Sequence, residues 1–200
     1  MAPDGPTFRL LVGLGNPGRE YSGTRHNVGF MVLDRLAAAM GATFRADKKW
    51  KADVAVAGDV FFLKPQTYMN LSGESVSEIA RFYKIEPVRV LVVLDDMALP
   101  LGRLRIRERG SHGGHNGLRS ILDHLGTQDV PRLRVGIGEA RADGGSAPDA
   151  ATGHVLGRFA VDERPLVAQS LDRAVEAVRF AQEHDLPSAM NQFNTNPPPN

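Results

Sequence analysis

The chain has 200 residues, a formal net charge of +1, 42% hydrophobic residues and 24% charged residues. That length supports one sizeable core rather than two full domains, and the composition is that of a globular chain, not a disordered or membrane-spanning one. The longest apolar runs, such as Val90–Leu94, fall far short of the roughly 20 residues that a bilayer span needs, and the absence of cysteine excludes a disulfide framework, a thiolate nucleophile and a thiolate metal site.

Met1-Ala2-Pro3-Asp4-Gly5-Pro6 has neither the basic start nor the apolar stretch of a signal peptide, so the cytoplasm is the expected location. Phe8–Leu14 reads as a buried strand ending in a tight Gly-Leu-Gly-Asn-Pro-Gly turn. From His26 to Met40 the apolar residues form a helical stripe stopped by Gly41. Residues 52–57 and 60–63 flank Gly58-Asp59 and predict a β-hairpin. Residues 71–83 predict a helix with Val76, Ile79, Ala80, Phe82 and Tyr83 facing inward, and 88–94 an uninterrupted apolar strand of the kind found in mid-sheet.

In residues 101–107, Leu104 and Ile106 alternate with Arg103, Arg105 and Arg107, which puts a basic row on one face of a strand. A glycine-rich loop leads into a helix over about 115–125, and 133–137 is another strand. Residues 140–153 are small, acidic and contain glycine and proline, and predict a mobile loop. A long amphipathic helix follows over 162–184. The expected whole is one α/β domain over residues 1–190, three-layered around a mixed, mostly parallel sheet, with a flexible tail over 191–200.

Several motifs carry chemistry. Gly13-x-Gly15-x-x-Gly18 matches the dinucleotide fingerprint, but that fingerprint needs a helix to open at the third glycine so that its amides face a pyrophosphate. Here Pro17 precedes that glycine, residues 19–23 intervene, and Asp34 falls inside a predicted helix. Asn16, Tyr21, Thr24, Arg25, His26 and Asn27 crowd an amide, an aromatic ring and an imidazole into a loop beyond a strand end, where open α/β sheets bind ligands. Thr24 is placed to cap the following helix.

Asp95 and Asp96 end the apolar strand, where they could hold magnesium, orient a histidine or simply terminate the strand. A carboxylate that fixes the tautomer of His26 fits best, because no other acidic cluster is visible. His112 and His115 are separated by glycines and lack a third metal ligand, so their loop is read as feeding a helix N-terminus that favours a phosphate. Asn70 stands near the start of another helix, and Asn16, Asn70 and Asn116 are the three amides able to orient a water or a peptide group.

Taken in order from Leu10 to Phe159, the segments 13–18, 24–27, 64–73, the Asp95 strand end, 112–117 and 132–138 closely resemble bacterial peptidyl-tRNA hydrolase. The resemblance implies a phosphorylase/hydrolase-like α/β fold and hydrolysis of the ester between a peptide and the 3′-terminal ribose of tRNA. It further implies His26 as catalytic base, Asp95 as its supporting acid, and Asn16 as the amide that discriminates N-blocked from free aminoacyl-tRNA. Tyr21, Tyr68, Asn70 and Asn116 would contact the tRNA end or the peptide, Met69 and His115 would line the same cleft, and Arg105, Arg107 and Arg134 would meet tRNA phosphates. A monomer without metal or other cofactor is implied. Ala98 replaces a second acid common in the family, and the 140–153 segment lacks the family's Pro-Pro-Gly start. A noncatalytic RNA-binding relative and a nucleotide-dependent oxidoreductase remain as alternatives.

Overall fold

The computed structural model describes residues 7–139 and 147–195, the backbone alone for 147–149. A seven-stranded sheet has the order β2-β3-β4-β1-β5-β7-β6. Its strands are β1 (Leu10–Gly13), β2 (Arg45–Asp47), β3 (Ala52–Ala57), β4 (Val60–Pro65), β5 (Val90–Asp96), β6 (Leu104–Arg107) and β7 (Arg132–Gly136). The central strands β4, β1, β5 and β7 are mutually parallel, while β2–β3, β3–β4 and β6–β7 pair antiparallel. The expected mixed, mostly parallel α/β sheet is what the chain forms.

Apolar character on both faces explains why β1 and β5 lie centrally. Leu11, Leu91 and Val93 enter one core with helices α1 (Val28–Ala39) and α5 (Arg164–Glu183). Leu10, Val12, Val90, Val92 and Leu94 enter the opposite core with α2 (Ser72–Phe82) and α3 (Asn116–Leu125). A strand buried on both faces has no polar alternation to display. Phe82 and Tyr83 depart from the inward placement expected of them. Phe82 is 59% exposed and meets Trp50 edge-on, while the Tyr83 ring lies tilted to the same indole.

The glycines of the first turn serve packing. A Cβ on Gly13 would overlap the Gly29 carbonyl, one on Gly15 the Phe30 ring, and one on Gly29 the backbone of Leu14 and Val93. Their absence lets the start of α1 sit directly on the ends of β1 and β5. After Gly18 comes only a three-residue 3₁₀ turn, Arg19–Tyr21, so no long helix presents its amides to a pyrophosphate. Gly29→Ala is expected to destabilise the fold by roughly 1–3 kcal/mol, as an overpacked methyl does, read as a lower urea midpoint; an unchanged midpoint would show that the helix yields freely.

Three segments depart from their sequence expectation. Of the expected 140–153 loop, residues 140–146 lie outside the described residues, and Ala147–Leu156 forms a helix, α4. Pro148 falls in its first turn, where a missing N–H costs little, and Ala150 and Ala151 favour helix. The expected tail from 191 begins inside helix α6 (Leu186–Phe193), capped by Asp185, whose Oδ1 accepts from Ser188 N at 2.6 Å. Beyond it, Asn194 Oδ1 accepts from Ile106 N at 2.6 Å and its Nδ2 donates to Ile106 O at 3.1 Å. That side chain covers the β6 edge as a neighbouring strand would. Thr24 stands at the cap position, yet its hydroxyl donates to Tyr21 O at 2.8 Å and caps no helix amide.

Candidate active site

Parallel strands bring β1 and β5 to the same rim, and the residues that follow each strand build the site. His26 lies in a 3₁₀ turn, Arg25–Asn27, leading into α1, and Asp95 near the end of β5. His26 Nδ1 and Asp95 Oδ1 are 2.8 Å apart, with side-chain exposures of 14% and 3%. From the first residue of α3's cap, His115 Nε2 reaches the same Oδ1 at 2.9 Å. The two imidazoles lie 5.1 Å apart at a tilt of 47°.

Burial by itself would push Asp95 up, because a charge in a poor solvent is costly. Electrostatic attraction and hydrogen bonding from His115, and then from His26, outweigh it and hold the carboxyl well below the usual range. Asp95 is therefore an anion that orients two rings. A proton on His26 Nδ1 satisfies it and leaves Nε2 for the cleft.

That cleft, about 540 Å³, is lined by His26, Asp95, His115, Asn116 and Arg134, with Ala151, Thr152 and Val155 of α4 forming one wall. Asn16 borders a smaller neighbouring cavity of about 230 Å³. Its Oδ1 accepts from Met69 N at 2.8 Å, so among the described residues its Nδ2 is left as a donor at the rim. Asn27 holds it from the other side, with Oδ1 accepting from Asn16 N and Nδ2 donating to Asn16 O, both at 2.9 Å.

Other expected residues fall around this centre at varying depth. Met69 is buried (5% exposed), and what it offers the site is its backbone N–H. Tyr68 is 62% exposed, Tyr21 half-buried in its 3₁₀ turn, and Asn70 and Asn116 are exposed. Arg105 faces Arg134 across the β6–β7 ladder, and Arg105 and Arg107 are exposed while Leu104 and Ile106 are buried, so the basic row forms as expected. Arg134 does not stand alone, since its Nε lies 3.1 Å from Asp96 Oδ2. The α3 N-terminus is less open to an anion than expected, because His115 Nδ1 already accepts from Leu118 N at 3.3 Å.

His26, Asp95 and His115 also place three possible metal ligands within 4.8 Å of one another. Both nitrogen–oxygen separations are those of direct hydrogen bonds, so an ion would have to break the two contacts that orient His26. The geometry favours proton chemistry.

The histidine–carboxylate pair thus lies at a strand-end cleft whose lining includes a basic residue, Arg134. The family model for peptidyl-tRNA hydrolase matches residues 10–200. The chain belongs to the peptidyl-tRNA hydrolase family. It is 49% identical over 189 residues to a peptidyl-tRNA hydrolase of Akkermansia muciniphila, covering 94% of this chain and 97% of that one. Against one from Synechococcus elongatus it is 48% identical over 199 residues, covering 97% and 95%. The crystal structure of peptidyl-tRNA hydrolase from Acinetobacter baumannii superposes with a TM-score of 0.88 at 39% identity, covering 99% of this chain and all of that one.

Sequence reasoning about this family member missed three supports of the site. Asn27 locks Asn16, and the only hint was its place in Thr24-Arg25-His26-Asn27. Arg25 is buried beside the base, its guanidinium 2.7 Å from Glu163 and 3.1 Å from Ile137 O. Buried Arg132 donates to the carbonyls of Val130 and Gly110, both at 2.7 Å, and so pins the loop that carries His115; burial and neighbouring Arg134 lower its pKa to about 10.

Proposed function

We propose that His26 is the general base that activates water against the ester joining a peptide to the 3′-terminal ribose of peptidyl-tRNA. Hydrolysis of peptidyl-tRNA is the activity that family membership carries. The observation that supports the base is the 2.8 Å contact of His26 Nδ1 with buried Asp95, which turns Nε2 to the cleft. As the water oxygen bonds to the ester carbonyl carbon, Nε2 takes its proton, and Asp95 stabilises the imidazolium. Collapse of the tetrahedral adduct breaks the bond to the ribose 3′-oxygen, and the proton returns to that oxygen. No acyl-enzyme is needed, since the chain has no Gly-x-Ser-x-Gly elbow.

Asn16, with its carbonyl held by Met69, presents amide hydrogens toward the reacting acyl group, and Asn70 and Asn116 add polar contacts for peptide or ribose. In this reading Tyr21, Tyr68 and the cleft wall at His115 receive the acylated end, Met69 acts through its backbone N–H on Asn16, and Arg105, Arg107 and Arg134 meet backbone phosphates. The reaction draws on side chains alone, without metal or other cofactor. Among the described residues no helix is long and apolar enough to cross a membrane, and we take the enzyme to act as a cytoplasmic monomer, for which light scattering should return a single-chain mass.

Purified protein is expected to release the acyl group from N-acetyl-aminoacyl-tRNA and to leave the unblocked counterpart intact over the same interval. Equal release from both would remove the proposed discrimination, and release from neither would remove the activity.

A further inference from the structure

Two imidazoles meet one oxygen of Asp95, yet they are not equivalent. Leu118 N–H donates to His115 Nδ1, so that nitrogen carries no proton, and the ring's proton sits on Nε2, facing Asp95. The amides that open α3 lie on the Nδ1 side, where an acceptor is wanted. His115 thus presents Nε2–H to Asp95 and keeps Nδ1 for the helix amide. His26 has one nitrogen on Asp95 and the other toward the cleft, so it can gain a proton. A carboxylate oxygen that accepts a second hydrogen bond has less charge to offer the first donor.

We propose that His115 is a positioning residue that acts through Asp95: its Nε2–H draws off part of the carboxylate's charge and so keeps His26 unprotonated, hence able to accept a proton, near neutral pH. The proposal rests on the reading of His26 as base. The other titratable groups around the pair have their polar contacts elsewhere or lie further out. Asp96 on β5 and Arg134 on β7 pair with each other, and His154 on α4 faces Ile137 O and Gly138 O at 3.2 and 2.9 Å. His112, in the loop before α3, accepts from Gly114 N, Arg25 beside the base pairs with Glu163, and Glu139 lines the outer cleft. Only His115 shares the oxygen with His26 among the described residues.

Two variants separate the donor from the cap. His115→Asn retains an acceptor for the helix amide, and asparagine is a favoured cap, but it is too short to reach Asp95. His115→Gln places an amide N–H near the lost Nε2 and restores the donor. Each is followed by NMR titration of the His26 ring in the free protein and by the acid limb of kcat/KM for N-acetyl-aminoacyl-tRNA. In the Asn variant both midpoints are expected to rise by roughly half to one pH unit, while the Gln variant stays close to the parent protein. An unmoved or lowered NMR midpoint in the Asn variant overturns the proposal, as does an equal rise in both variants. An NMR midpoint that rises while the kinetic limb stays fixed upholds the coupling and instead removes His26 from its role as base.

Discussion

His26→Ala is expected to lower kcat on N-acetyl-aminoacyl-tRNA by about 10²–10⁴-fold, the range that a positioned general base supplies. An interaction made only in the transition state lowers kcat and kcat/KM together and leaves KM nearly unchanged. The tRNA contacts proposed at Arg105, Arg107 and Arg134 come from β6 and β7 and not from the turn that carries His26, so binding of the RNA should persist. The ring contributes no large apolar volume to either core, and a folded variant is expected. Steady-state kinetics and a filter-binding measurement on the same sample decide the matter. Turnover within tenfold of the parent protein would falsify the assignment of the base.

Asp95→Asn has the second largest expected effect, a loss of roughly ten- to a thousandfold in kcat. The amide keeps an oxygen for the two donors but no longer carries the charge that stabilises the imidazolium. Without that charge His26 binds its proton less well, so the acid limb of the rate profile should move to lower pH even as the plateau falls. This direction is opposite to that expected for His115→Asn, and the pair of variants tests the same oxygen from both sides. Stability should respond as well. A carboxyl whose folded pKa is depressed stabilises the fold above its ordinary value of about 3.9, and loses that contribution as pH falls through the folded value. Acid unfolding of the Asn variant should therefore lack this component, and an unaltered rate profile together with unaltered acid unfolding would show that Asp95 is a bystander.

Local rules made much of the fold readable. The double-sided apolar runs of β1 and β5, the Gly58-Asp59 hairpin turn and the alternating arginines of β6 each report their surroundings within a few residues. The misreadings also have local causes. Small and proline-containing residues over 147–153 suggested a loop, although proline in a first turn and alanines after it suit a helix. Asp185-Leu186-Pro187-Ser188 is a legible helix start, and the helix it opens runs on into the first residues expected as a tail. Phe82 at the end of α2 and Tyr83 just beyond it continue the helical stripe, but periodicity says which residues share a face and not how far the sheet extends beneath it.

What the sequence determined by itself was the list of chemically able groups, their order along the chain, and the strand ends on which they ride, because motif spacing and hydrophobic period are properties of short segments. The partnerships were decided by tertiary structure. That His26 and His115 share one oxygen of Asp95, that Met69 and Asn27 hold Asn16, and that Asp96 answers Arg134 all depend on pairings across 11 to 69 residues of chain. Such pairings exist only once β1, β5 and β7 lie side by side, since a hydrogen bond a few tenths of an ångström too long ceases to be one.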